Sequence, residues 1–317
     1  MPLAVVFPGQ GSQAPGFGLP WTDHPASALV AEAEAAADRP LRHLLVDPDA
    51  DLAPTDAAQL SVLLGSLVAW RALRDAGIEE PVAMAGHSLG QITALVAAEA
   101  VDLAAGIRLA VARADATAAA QAREPGAMLA LLGADEDRAR RACAAAPGAA
   151  WPANLNGAGQ VVVGGRPEAL DAVARAAADA GVRRTRRLAV DGAFHTPLMQ
   201  PAADALAPVL AATAFAAPAV PIVTNHDARP VDGADGWPER LGTHLVSPVR
   251  WEDVVRRLVG LGADTIVEVG PGTTLAGLVR RIAPEVTVRN VATPAEAAAV
   301  AEAHRPAALA GPGRAAR

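Results

Sequence analysis

The sequence contains no lysine, no tyrosine, four phenylalanines and a single cysteine. Every basic residue is therefore an arginine, and about a quarter of the chain is alanine. Ala, Arg, Gly and Pro share GC-rich codons, so this bias reflects the genome before it reflects chemistry. One cysteine, Cys143, excludes a disulfide scaffold and a Cys-based zinc site, and no metal is expected. Basic charge is also short. The chain has 27 basic and 34 acidic residues, a net charge of -7, which argues against a nucleic-acid binder. No apolar run approaches the roughly 20 residues that span a bilayer. No basic segment precedes a long apolar stretch near Leu3–Phe7, so a secretory signal is not expected and the cytoplasm is the expected location.

What is present is ample core material. Hydrophobic residues make up 52% of 317 residues, enough for one large domain or two modest ones. Leu3 to Phe7 reads as a buried strand running into the Gly-rich loop Pro8–Gln13. Helices are expected over about 25–38, over Ala57 to Ala76 and over Ile92 to Glu99, with a strand at Pro81 to Ala85. Such alternation predicts a parallel sheet covered on both faces, an α/β fold. Near Arg123 the pattern changes. Strand-like Met128 to Leu132, helical Asp135 to Ala146, strands Ala150 to Leu155 and Gln160 to Val163, helical Pro167 to Ala180 and strand-like Arg186 to Val190 give β-α-β-β-α-β. This is the ferredoxin-like order, and 124–190 is expected to form an inserted small subdomain. The larger α/β subdomain is expected to comprise 1–123 and 191–292. It resumes with strands at Val220 to Thr224 and Thr265 to Val269 and a helix over Leu275 to Ile282. Residues 293–317 are expected to be a short helix and a frayed tail that includes His304.

Gly86-His87-Ser88-Leu89-Gly90 fits G-x-S-x-G between a predicted strand and a predicted helix. This is the nucleophile elbow of α/β-hydrolase-like folds: the turn pushes the serine out next to a helix amino terminus that favours developing negative charge. An ordinary serine in a Gly-rich turn fits the bare pattern too. A serine nucleophile needs a base. Of seven histidines, His87 is aimed elsewhere by the turn, and His24 and His43 lie in polar segments without a loop signature. His195, in the strand-end loop after Val190, is the candidate, because α/β folds place reactive groups in such loops. A surface or core histidine remains the alternative.

Further segments carry a resemblance. They are Val6 to Gln13, the elbow, Arg113, Gly126-Ala127-Met128, Asn154-Leu155-Asn156 with Gln160-Val161-Val162, Gly192-Ala193-Phe194-His195, Ser247 to Trp251 and Glu268 to Gly272. Over about residues 3–290 the chain resembles the malonyl-CoA:acyl-carrier-protein transacylases and the acyltransferase domains of fatty acid and polyketide synthases.

The resemblance implies roles. Ser88 would be acylated and His195 would be its general base, oriented by a backbone carbonyl near Val249 and Arg250. The backbone N–H groups of Gln10 and Leu89 would form the oxyanion hole. Arg113 would grip the malonyl carboxylate through two parallel hydrogen bonds. Gln59 would lie near the site, and Phe194 would narrow the acyl pocket against a methyl branch. Malonyl-CoA and the phosphopantetheine of an acyl carrier protein would be substrates, with no permanently bound cofactor, no nucleic acid, no membrane and a monomeric enzyme. Arg183, Arg184, Arg186 and Arg187, the densest basic cluster, are candidates for docking the acidic carrier protein. The chain departs from the family after Arg113, where Ala114 to Thr117 replace an Arg-Gly…Met pattern, and at Leu60 and Gln91. These departures bear on the acyl pocket. A longer or uncharged acyl group, or an editing thioester hydrolase, is the alternative. An α/β-hydrolase esterase is disfavoured by the mid-chain histidine and the ferredoxin-like insertion, and a dead scaffold domain by intact Ser88, His195 and Gln10.

Overall fold

The computed structural model describes residues 2–305. Among the described residues ten strands form two sheets. The large sheet contains β1 (Leu3–Phe7), β2 (Ala83–Gly86), β7 (Ile222–Val223), β8 (Pro230–Val231), β9 (Thr265–Val269) and β10 (Thr287–Val291), in the order β10-β9-β1-β2-β7-β8. All pairs are parallel except the β7–β8 hairpin at the edge. β1 is central, with Val5 opposite Met84 on one side and Val267 on the other. Its five residues are all buried, and their alternation divides the core. Leu3, Val5 and Phe7 join the larger cluster with the helix Thr55–Asp75, whereas Ala4 and Val6 pack with the helices Trp251–Gly260 and Thr274–Ile282. A continuous apolar run is what a strand covered on both faces requires.

The small sheet contains β3 (Ala127–Leu132), β4 (Ala150–Gly157), β5 (Gln160–Gly165) and β6 (Arg184–Asp191), in the antiparallel order β4-β5-β3-β6. The helices Glu136–Cys143 and Pro167–Ala176 complete the βαββαβ order, and their apolar faces pack on Leu129, Leu131, Val161 and Val163. The other face of this sheet carries Met128, Ala130 and Val162, which pack against Phe194, Met199 and Ala202. The loop bearing His195 is thereby clamped between the two subdomains.

Differences from expectation are informative. β7 pairs over two residues only. β10 alternates between buried or half-buried and exposed positions and carries Arg289 and Asn290, so it lacks the apolar run that marked β1. The helices Gln200–Ala212, Trp237–Val246 and Trp251–Gly260 were not foreseen. His304 is not in a frayed tail. It is buried, and its carbonyl accepts the Glu79 N–H at 2.9 Å, because Ala297, Val300 and Ala301 of the helix Pro294–Ala303 insert into the main core. Residues 306–317 of the expected tail lie outside the described residues.

Candidate active site

Ser88 lies between β2 and the helix Gly90–Ala97, with φ at 54°. A left-handed backbone is costly for a non-glycine residue and persists only where the surroundings enforce it. Glycines make the turn possible: a Cβ on Gly86 would fall 1.8 Å from the Gly90 carbonyl oxygen, and one on Gly90 would fall 2.2 Å from that of Phe7. Asn225, just beyond β7, completes the restraint. Its Oδ1 accepts the Ser88 N–H at 2.8 Å, and its Nδ2 donates to the Gly86 carbonyl at 2.6 Å. Gln91 holds Asn225 in turn, accepting its backbone N–H at 3.0 Å. Sequence reasoning missed Asn225, although its place at a strand end was a usable signal.

His195 also has a left-handed backbone, with φ at 60°, and is 2% exposed. Its Nε2 is 2.7 Å from Ser88 Oγ, and its Nδ1 is 2.8 Å from the His244 carbonyl oxygen. A carbonyl can only accept, so Nδ1 carries the proton and Nε2 presents its lone pair to the serine hydroxyl. This corrects the expectation that Val249 or Arg250 orients the base. Val249 is bonded on both sides to β4, to Ala153 and Leu155, and the Arg250 N–H donates to the Asn225 carbonyl. His244 is in the last turn of the helix Trp237–Val246, where carbonyls lack intrahelical partners. Its ring also stacks on His195, with centroids 4.8 Å apart. A backbone group on a helix leaves no trace in residue type, so no sequence signal marked it.

Burial, followed by the positive charge of Arg113, pushes the His195 pKa down to about 3. The base is therefore neutral at ordinary pH. His87 points away from the serine, as expected. Its Nε2 donates to Asn156 Oδ1 at 3.1 Å, its ring meets Trp251 edge-on, and burial pushes its pKa down to about 4.

Arg113 enters from the helix Leu103–Arg123 and is 4% exposed. Its Nη2 donates to Ser88 Oγ at 3.1 Å and its Nη1 donates to Gln59 Oε1. Burial lowers its pKa to about 10, so it remains charged, yet among the described residues no carboxylate pairs with it. A buried guanidinium without a counter-ion, beside a serine hydroxyl, is chemically suited to an anion.

The other expected residues are near or peripheral. Neither Gln10 N–H nor Leu89 N–H donates to a backbone or side-chain acceptor among the described residues. The loop before Gln10 abuts the elbow, since a Cβ on Gly9 would fall 2.5 Å from the His87 carbonyl oxygen. Phe194 is buried among Met128, Val162 and Met199, with its ring folded over Gly192. Arg183, Arg184, Arg186 and Arg187 are exposed on or next to β6, an edge strand. Arg187 is engaged by Asp171 and by the Pro167 carbonyl.

The acyl transferase domain family matches residues 4–308 of this chain, which carries the elbow serine, an imidazole 2.7 Å from it and the βαββαβ unit. The chain belongs to the acyl transferase family. This acyl transferase is 37% identical over 308 residues to the malonyl CoA-acyl carrier protein transacylase of Escherichia coli K12, covering 95% of this chain and 99% of that one. Among solved structures, malonyl-CoA:acyl carrier protein transacylase from Xanthomonas oryzae superposes with a TM-score of 0.90 at 38% identity, covering 96% of this chain and 98% of that one. A malonyl-transacylase solved in complex with its type II PKS acyl-carrier protein superposes with a TM-score of 0.90 at 35% identity, covering 96% and 100%. These likenesses establish the two-subdomain α/β fold and the acyltransferase class of this chain. Among the described residues no helix is long and apolar enough to cross a membrane, and no cluster of His, Cys, Asp or Glu is placed to hold a metal.

Proposed function

We propose that this acyl transferase moves a malonyl group from CoA to the phosphopantetheine thiol of an acyl carrier protein. The observation that carries the choice of acyl group is the buried Arg113 guanidinium, 3.1 Å from Ser88 Oγ and without a carboxylate partner among the described residues. Such a group recognises a free carboxylate at the far end of a short acyl chain.

The chemistry runs in two half-reactions. Ser88 Oγ attacks the thioester carbonyl of malonyl-CoA as its proton passes to His195 Nε2. The imidazolium is stabilised by the His244 carbonyl at Nδ1. The backbone N–H groups of Gln10 and Leu89 receive the negative charge of the tetrahedral intermediate. Its collapse breaks the carbon–sulfur bond, and His195 returns the proton to the departing CoA thiolate. In the second half, the pantetheine thiol attacks the malonyl-serine ester, gives its proton to Nε2, and Oγ recovers it. Phe194 narrows the acyl pocket. Arg183, Arg184 and Arg186 offer charge to an acidic carrier protein, whereas Arg187 is already engaged by Asp171. No resident cofactor takes part in this scheme, and the enzyme works as a monomer in the cytoplasm.

Incubating the full chain with malonyl-, methylmalonyl-, acetyl- and longer acyl-CoAs and weighing the intact protein tests this directly. A malonyl adduct that forms fastest and disappears in Ser88→Ala is expected. Faster loading by an uncharged acyl-CoA would overturn the acyl assignment.

A further inference from the structure

Thr117 is one helical turn beyond Arg113, on the same face of the helix Leu103–Arg123. Its hydroxyl lies 2.9 Å from the Arg113 carbonyl oxygen and 3.0 Å from that of Ala114. Threonines inside helices commonly donate back to such carbonyls. A hydroxyl has a single proton. With that proton committed to the backbone, Oγ1 has only lone pairs to offer Gln59, whose Nε2 is 3.0 Å away. Gln59 must therefore present its NH2 to Thr117. The other end of the amide, Oε1, is turned by the same geometry to Arg113 Nη1, which can only donate. That leaves Nη2 aimed at Ser88 Oγ. Thr117 is 0% exposed and Gln59 1% exposed, so water does not substitute for either link.

We propose that Thr117 is a positioning residue for acyl selection: its hydroxyl fixes the orientation of the Gln59 amide and thereby aims the Arg113 guanidinium at the substrate carboxylate. With a carboxylate-bearing acyl group as the substrate, as proposed above, the stretch Ala114 to Thr117 that departs from the family pattern supports the pocket instead of weakening it. Without the hydroxyl, the amide loses the partner that decides which end faces Arg113. Turned over, its NH2 would oppose the guanidinium, donor against donor, and the guanidinium would move off its line to Ser88. An acetyl group offers Arg113 nothing to grip, so acetyl loading depends on this alignment far less than malonyl loading does.

The test compares single-turnover loading of Ser88 from malonyl-CoA and from acetyl-CoA, each over a range of concentrations, in the full chain. Wild type, Thr117→Val and Thr117→Ser are the variants. Valine keeps the shape and removes the hydroxyl, whereas serine keeps the hydroxyl. Thr117→Val is expected to lower malonyl loading efficiency by roughly 5- to 30-fold, as for one lost hydrogen bond to a charged network. The loss should appear chiefly in the concentration for half-maximal loading, with acetyl loading within about twofold of wild type. Thr117→Ser should restore malonyl loading. Equal losses with both acyl groups, an unchanged malonyl-to-acetyl ratio in Thr117→Val, or a Thr117→Ser variant as impaired as the valine would each overturn the proposal. If Thr117→Val folds poorly, Thr117→Ala carries the same comparison. A wild type that loads acetyl as well as malonyl would instead remove the proposed acyl group, so the two failures are distinguishable.

Discussion

The side-chain oxygen of Asn225 accepts the backbone N–H of Ser88 at 2.8 Å, across 137 residues of sequence. The same side chain donates to the Gly86 carbonyl, so one amide holds both ends of the elbow in the left-handed turn. It also keeps the Ser88 N–H occupied, leaving Leu89 as the donor nearest in sequence for an oxyanion. Asn225→Ala leaves two elbow groups unpaired, at about 1–3 kcal/mol each. A loss of roughly 2–4 kcal/mol in urea unfolding is expected, together with slower acyl loading. A loss within about 0.5 kcal/mol, typical of surface substitutions, would show that the elbow does not depend on this bond.

Acid should unfold this protein before it silences the base. His195 and His87 have folded pKa values pushed down to about 3 and about 4, from an ordinary value of 6.5, by burial above all. Below pH 6.5 the unfolded chain binds protons that the folded chain refuses, so stability falls with falling pH across the window from 6.5 to those values. At pH 5 each histidine costs about 2 kcal/mol relative to neutral pH. Urea midpoints at pH 7.5 and pH 5 measure this, and His87→Gln should flatten the difference. Over the same range, while the protein stays folded, His195 remains neutral and malonyl loading should keep its rate. A loading profile falling with a midpoint near 6.5 would show that burial does not govern this histidine.

Carrier-protein encounter should respond to salt more strongly than reaction with malonyl-CoA. Arg184 and Arg186 lie exposed on β6 without acidic partners among the described residues, so they can steer an acidic protein at low ionic strength. Transfer to the carrier protein is expected to slow steeply between low and moderate salt, and Arg184→Ala with Arg186→Ala should reduce that slope. These charges also guard an edge strand against pairing, so an unchanged slope in the double variant would leave them with that role alone.

Some of this architecture was legible in the sequence because the signals were local. Leu3–Phe7 is apolar throughout and ends in glycines, which marks a buried strand entering a functional loop. G-x-S-x-G sat between a strand and a helix, and His195 followed a strand end. The succession of short strand-like and helical segments over 124–190 was enough to give the β-α-β-β-α-β element order of the small subdomain. Other features were illegible because they arise only on folding. The His244 carbonyl is a backbone group at a helix end, which moved the histidine's anchor away from Val249 and Arg250. β10 carries half-polar residues and escaped notice beside the apolar β9. The pairing of Arg113 with Gln59, 54 residues apart, follows from the packing of two helices and not from any spacing.

On the proposed function, Arg113 chooses the acyl group by its carboxylate. Loading rates of Ser88 from malonyl-CoA and acetyl-CoA, in wild type and in Arg113→Ala, measure it most directly. Removing the guanidinium leaves the ligand's charge without its buried partner, at about 2–5 kcal/mol for a broken buried pair. Arg113→Ala is expected to lose malonyl loading by roughly two orders of magnitude or more while acetyl loading changes little or rises. Parallel losses with both acyl groups, or malonyl loading retained, would contradict it.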